Sequence, residues 1–246
     1  MKRFTAIFLA AVLSLTLLCS CKANKTQTDS EPAATAAYSI EKVDGIKLDK
    51  GDGNKIDVVY PQIAGWALAD KQDKWNEEFA SFNIGETSEL EGGATIDTVE
   101  YYEVTYEVAT QTDDILSIVF YGSIYYVGAA HPFAYASAHT IDMKTGDEIT
   151  LAGLPEDKRR EIAKAAGEGK FEIISGGPIS TVEELIPELE IYYGIDGSQS
   201  VEDAVYEEIS NAEYSSGNYF IKDGKTCVIL PIHHAAGDYV IAQFDF

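Results

Sequence analysis

The chain has 246 residues, with 18 Lys and Arg against 41 Asp and Glu and a formal net charge of −23. Nucleic-acid binders need stripes of Lys and Arg to displace phosphate counterions, so this polyanion excludes nucleic acid as a partner, and anionic lipid head groups are disfavoured on the same ground. At 46% hydrophobic and 24% charged, with 15 Tyr, the composition is that of a packed globular protein, neither disordered nor membrane-spanning.

The first element is Met1-Lys2-Arg3 ahead of an apolar run from Ala6 to Leu18 that only Ser14 and Thr16 interrupt. A charged start and a short hydrophobic stretch read as a secretory signal, too short for a spanning helix of ~20 apolar residues. Leu18-Cys19-Ser20-Cys21 is similar to a bacterial lipobox. That resemblance implies a lipoprotein signal peptide over residues 1–20, cleavage before Cys21 and acylation of its thiol. The mature chain would then be held by acyl chains, palmitate included, on the extracytoplasmic face of the cell membrane. An ordinary secretory signal is the alternative, but no Ala-X-Ala site precedes the polar segment.

With Cys19 removed and Cys21 acylated, Cys227 alone remains and no intramolecular disulfide can form. It sits in an apolar strand-like run, Thr226-Cys227-Val228-Ile229-Leu230, as a small buried hydrophobe rather than a catalytic thiol. Residues 21–37 lack periodicity and read as a flexible tether.

From Tyr38 the pattern predicts a hairpin whose two strands flank Asp49-Lys50-Gly51-Asp52-Gly53-Asn54. Asp70 to Asn83 carries Trp75, Phe79 and Phe82 at helical spacing. The period then changes to two: Tyr102, Val104, Tyr106 and Val108 alternate with polar residues, and returning strands follow through Tyr126 and from Ala134 to Ile141. Leu154–Ala166, Val182–Leu189 and Val201–Ser210 are helical by composition, the last with Val201, Ala204, Val205 and Ile209 on one face. The chain ends in strands around the turn Asp223-Gly224 and over Tyr239–Phe246. Strands in runs and helices in runs predict an α+β fold, antiparallel β-meanders packed with several amphipathic helices. Two subregions are expected, 38–110 and 111–246.

Tyr60-Pro61-Gln62-Ile63-Ala64-Gly65 before a helix carrying Asn76, then Gly128-Ala129-Ala130-His131-Pro132, Asp142-Met143-Lys144-Thr145-Gly146 and Leu151, then Ala235-Ala236-Gly237, resemble the extracytoplasmic module of RsiV-type anti-sigma factors. The same module accompanies PdaC-type polysaccharide deacetylases. The resemblance covers nearly all of the folded body, and residues 111–246 resemble the C-terminal module. It implies an α+β body outside a bacterial membrane, here as a stand-alone lipoprotein, with lysozyme reception or a place beside cell-wall enzymes as the roles of relatives. The sequence departs from them at Ile232-His233-His234, where relatives tend to carry a Pro-Tyr-Glu-like segment.

Four histidines exist, His131, His139, His233 and His234. Convergence of three with Asp238 would give a zinc site with an open position for hydrolysis. No His-Glu-X-X-His spacing supports it, and adjacent His233 and His234 would point to opposite faces of a strand. Hydrogen-bonded or surface histidines are the favoured reading. Asp196 to Glu207 imitates a calcium loop but has Val201 where the sharp turn needs Gly; capping by Asp196 or Ser200 is favoured. Glu183-Glu184, Glu188/Glu190 and Glu207-Glu208 read as solvated helix-surface carboxylates rather than a glycosidase pair. The expectation is therefore a non-catalytic ligand-binding body without cofactor or metal. Its contact residues are Tyr121, Tyr125, Tyr126, His131 and Pro132, and its partner a cationic protein such as lysozyme, or peptidoglycan. A metal-dependent cell-wall hydrolase or deacetylase accessory is the alternative.

Overall fold

The computed structural model describes residues 37–82, 96–212 and 215–246. The signal peptide, Cys21 and nearly all of the tether lie outside the described residues, as does Gly85. No helix among the described residues is long and apolar enough to cross a membrane.

The fold is α+β, with two sheets and four α-helices among the described residues. The first sheet joins β1 (Ser39–Gly51), β2 (Asn54–Ala64), β3 (Val99–Gln111), β4 (Ile115–Tyr126) and β5 (Phe133–Asp142) in chain order. The β1–β2 turn is Asp52-Gly53 with φ of 54° and 87°, the positive pair that Asp-Gly supplies in a type I′ hairpin. β3–β4 and β4–β5 pair antiparallel as expected. β2 and β3 instead pair parallel, Ile56 opposite Tyr102 and Val58 opposite Val104, and the connection between them contains α1 (Ala69–Ala80). This one parallel pair departs from the otherwise antiparallel meander that the pattern predicts: parallel neighbours need a crossover, and α1 lies in it.

α1 covers one face of this sheet. Trp75 and Phe79 are buried against Ile56, Val104, Ile118 and Phe120; Phe79 and Phe120 have no exposed surface, and each such burial stabilises by about 1.5–3 kcal/mol. Asn76 fixes the helix to β2, its Oδ1 accepting from the Ile63 N–H at 2.7 Å and its Nδ2 donating to the Ile63 carbonyl at 3.0 Å. The Trp75 indole N–H donates to the Gly146 carbonyl, 3.1 Å away in the turn after β5.

The second sheet has the order β6 (Glu172–Ser175), β9 (Tyr239–Phe244), β8 (Lys225–Pro231), β7 (Tyr219–Lys222), all antiparallel. β7 and β8 turn on Asp223-Gly224, again both positive in φ. Alternation in β8 sends Cys227 and Ile229 toward Val119 and Ala138 of the first sheet. It sends Val228 and Leu230 toward α2 (Glu156–Gly167), α3 (Val182–Tyr192) and α4 (Val201–Ser210). Four layers result: α1, first sheet, second sheet, α2–α4. Between the sheets, the Ser117 and Thr140 hydroxyls lie 2.9 Å apart, and Thr140 donates to the Tyr219 carbonyl at 3.0 Å.

The division drawn at residues 110/111 passes through β3. Thr112 to Asp114 is a hairpin turn joining two strands of one sheet, so the two sheets separate after β5. The four-residue β6 has no counterpart in the sequence reading, being too short to show a period.

Candidate functional site

The β8–β9 connection, Ile232 to Asp238, returns through a 3-10 turn over His234–Ala236. Its exit needs Gly237, at φ 119°, where a Cβ would meet the Cα of Gly177 and the Pro178 ring at 2.9 Å. Asp238 follows with φ 72°, a left-handed conformation that Asp tolerates better than most residues. Its side chain is 7% exposed: Oδ2 accepts the Ala134 N–H at 2.8 Å and Oδ1 lies 2.5 Å from His234 Nδ1. The loop before β5 closes over this pair. The His131 ring stacks on His234 with centroids 3.9 Å apart and 28° between planes, and Phe133 packs beside it at 5.5 Å.

Phe133 and Asp238 also bound a cleft of about 230 Å3, with Tyr135, Tyr192, Glu208 and Tyr239. Phe133 and Tyr192 are 45% and 44% exposed and both line this cleft. Burial, and then the Asp238 charge, pushes the Tyr239 hydroxyl above its ordinary pKa; burial does the same for Tyr135, whose hydroxyl lies 3.2 Å from that of Tyr102.

Tyr192 and Glu208 also wall a second cleft of about 410 Å3 between the end of α3 and α4, with Tyr193, Gln199, Glu207 and Asn211. Tyr192 and Tyr193 meet edge to face at 5.2 Å and 86°. α4 is placed by a capping box in which the Ser200 hydroxyl accepts from the Asp203 N–H and the Asp203 carboxylate reaches back. Burial raises the Glu208 pKa above the ordinary carboxylate value. Burial, and then the Glu208 charge, raises that of Tyr193. No Lys or Arg lines either cleft among the described residues. A wider depression beside the β1–β2 turn, about 520 Å3, differs in charge: Lys47 pairs with Asp44, and Lys55 with Glu103 at 3.1 Å.

Of the expected contact residues, the structure brings His131 and Pro132 to the rim, both exposed. Tyr121 and Tyr126 lie on opposite faces of β4: Tyr121 packs against the layer between the sheets with its hydroxyl toward Glu107, and Tyr126 against the α1 core. Tyr125 donates to the Ala129 carbonyl at 3.1 Å. The five therefore form no single face.

The histidines also divide. His139 is buried between Trp75, Phe79 and Phe120 with Nδ1 2.8 Å from Glu148, while His131 and His234 stack at the rim and the His233 ring stands 6.4 Å from Tyr192. His233 and His234 sit at a 3-10 turn, which replaces the alternating-strand reading. Among the described residues no group of three or more His, Cys, Asp or Glu is arranged to hold a metal. Asp196 accepts from Ser198 in a local turn and Ser200 is the helix cap.

Two site residues escaped the sequence reading. Glu208 is half-buried rather than solvated; it stands three and four positions after Val205 and Ala204, on the edge of the buried stripe of α4, and that spacing could have marked it. Tyr192 follows Leu185 and Leu189 at core spacing yet emerges at the helix end, which the pattern does not reveal.

No protein-family model and no curated protein matches this chain. Among solved structures it is similar to a DUF3298 family member from Bacteroides fragilis, with 11% identity, 85% of this chain and 91% of that one covered and a TM-score of 0.48. It is also similar to a DUF3298 family protein from Pseudomonas aeruginosa, at 11% identity, 85% and 90% coverage and a TM-score of 0.46.

Proposed function

We propose that this chain is a bacterial lipoprotein, anchored through Cys21 on the extracytoplasmic face of the cell membrane, whose body binds a cationic partner and catalyses nothing. The observation that carries this reading is the cleft lined by Phe133, Tyr192, Glu208 and Asp238. Two exposed aromatics, Phe133 and Tyr192, line it together with Glu208 and the His234-paired Asp238, with no Lys or Arg in the lining among the described residues. Aromatic side chains supply contact area at small cost in rotamer entropy, and Glu208, which among the described residues pairs with no Lys or Arg, adds a preference for positive charge. The net charge of −23 extends that preference beyond contact distance. A basic protein such as lysozyme satisfies both features. A peptidoglycan strand is the second ligand, because sugar rings stack on exposed aromatic faces.

The test immobilises the body and measures capture of lysozyme and of soluble peptidoglycan fragments, with a Phe133→Ala/Tyr192→Ala double variant beside the wild type. Capture of lysozyme that falls about tenfold or more in the variant, the loss expected on removing two contact aromatics, supports the reading; capture of peptidoglycan alone replaces the cationic partner with the second ligand. No capture of either ligand at low salt removes it. The anchor is tested by Cys21→Ala, which is expected to release the body from the membrane fraction.

A further inference from the structure

We infer that the cleft between α3 and α4 receives a lysine or arginine side chain of the bound basic protein, held between the Tyr192–Tyr193 corner and the carboxyl groups of Glu207 and Glu208. This rests on the reading of the body as a module for a cationic partner and names the groups that would read the charge.

The cleft is about 410 Å3, ample for one long side chain and accompanying water. Its two walls differ in chemistry. The α3 wall is an aromatic corner whose rings stand 86° apart; a cation is attracted to the negative face of such a ring and not to its edge, and that attraction is strongest where water is partly excluded. The α4 wall carries two adjacent carboxyl groups. Glu207 accepts from the Gln199 side chain at 3.4 Å, and Glu208 is half-buried beside the Tyr193 ring. Among the described residues neither is ion-paired with a Lys or Arg, although acidic side chains elsewhere on the body are: Glu107 with Lys222 at 2.6 Å, Asp147 with Lys71 at 2.7 Å and Asp114 with Lys144 at 2.8 Å. A desolvated carboxyl group without a counterion is costly to ionise, and an incoming cation offsets that cost. The titratable groups facing the cleft are Tyr192 and Tyr193 from α3 and Glu207 and Glu208 from α4.

The occupant is argued from continuity. Tyr192 and Glu208 wall both clefts, and the exposed Phe133 and Tyr192 side chains give the pair of clefts an apolar rim. A free amine would use the carboxyl groups but leave this rim bare; a side chain carried on a protein surface covers both.

The experiment follows backbone amide resonances of the isotope-labelled body during titration with N-acetyl-arginine amide, with neutral N-acetyl-glutamine amide and putrescine as the other arms. The arginine derivative is expected to shift Tyr193, Gln199 and Asn211 with about millimolar affinity, the glutamine derivative to shift none, and Glu208→Gln to weaken binding about fivefold or more without changing the fold. Affinity for the arginine derivative should rise with pH as Glu208 ionises, and the variant should lose that rise. Absence of the shifts, equal shifts by the neutral derivative, or full binding by Glu208→Gln overturns the site. Putrescine binding far more tightly than the arginine derivative overturns the protein source. Capture of lysozyme without any cleft shift sinks this inference and leaves the proposed function standing; cleft shifts without capture of lysozyme or peptidoglycan overturn the proposed function and the protein source together, and leave a cleft that binds small cations only.

Discussion

The carboxylate of Asp238 holds the backbone of Ala134, accepting its N–H at 2.8 Å across 104 residues of sequence. One hydrogen bond thus ties the β8–β9 loop of the second sheet to the start of β5 in the first, and through them positions Phe133 and His234 over the cleft.

Asp238→Asn tests that tie with little else disturbed, because Asn also tolerates the positive φ of 72° at this position. An amide can present its N–H₂ or its oxygen to Ala134 and His234 but cannot accept from both, so unfolding in urea should show a loss of about 1.5–3 kcal/mol. An unchanged midpoint would mean that the loop is held by other contacts.

Glu208 supplies a pH dependence whose sign follows from its environment. Burial pushes its pKa above the ordinary value of 4.5, so the folded protein holds this proton more tightly than the unfolded chain. Its contribution to stability is complete below the ordinary value and is lost as pH rises through the folded-state pKa. Thermal unfolding of Glu208→Gln, which cannot titrate, should lose less stability than the wild type across that window. Parallel pH curves for the two proteins would contradict the account.

Cys227 should be inert in the native state. It has no exposed surface, and burial raises its thiol pKa, which disfavours the reactive thiolate. In a body beginning at Ala34, a thiol reagent should label nothing until denaturant is added. Stoichiometric labelling of the folded protein at neutral pH would show that the layer between the sheets opens readily.

Much of the fold is legible in local signals. Asp52-Gly53 and Asp223-Gly224 mark the two hairpins because only such pairs enter the doubly positive φ region cheaply. The α4 stripe of Val201, Ala204, Val205 and Ile209, all buried, follows from the helical period alone. The parallel pairing of β2 with β3 is not legible, since alternation records which residues face inward and not which strand lies alongside.

The candidate site is less legible for the same reason. Parity within β4 already places Tyr121 and Tyr126 on opposite faces, so their grouping as one contact surface is an error that period-two reasoning could have removed. The meeting of His131 with His234, and of Tyr192 with Phe133, depends on how the sheets and α3 come together at long range. Glu208 lies between these cases: its spacing is helical and inward, but a carboxyl group at such a position is ordinarily taken as solvated.

The central claim is that an acidic body draws in and holds a cationic protein. Surface plasmon resonance with lysozyme at low and at physiological ionic strength tests it most directly. The Debye length shrinks from about 30 Å at 0.01 M to about 8 Å at 0.15 M, so the association rate should fall steeply with salt, while dissociation, set by the aromatic and half-buried contacts, should change much less. Binding at low salt with a salt-sensitive association rate is the result this account predicts. No binding at low salt, or an association rate indifferent to salt, would contradict it.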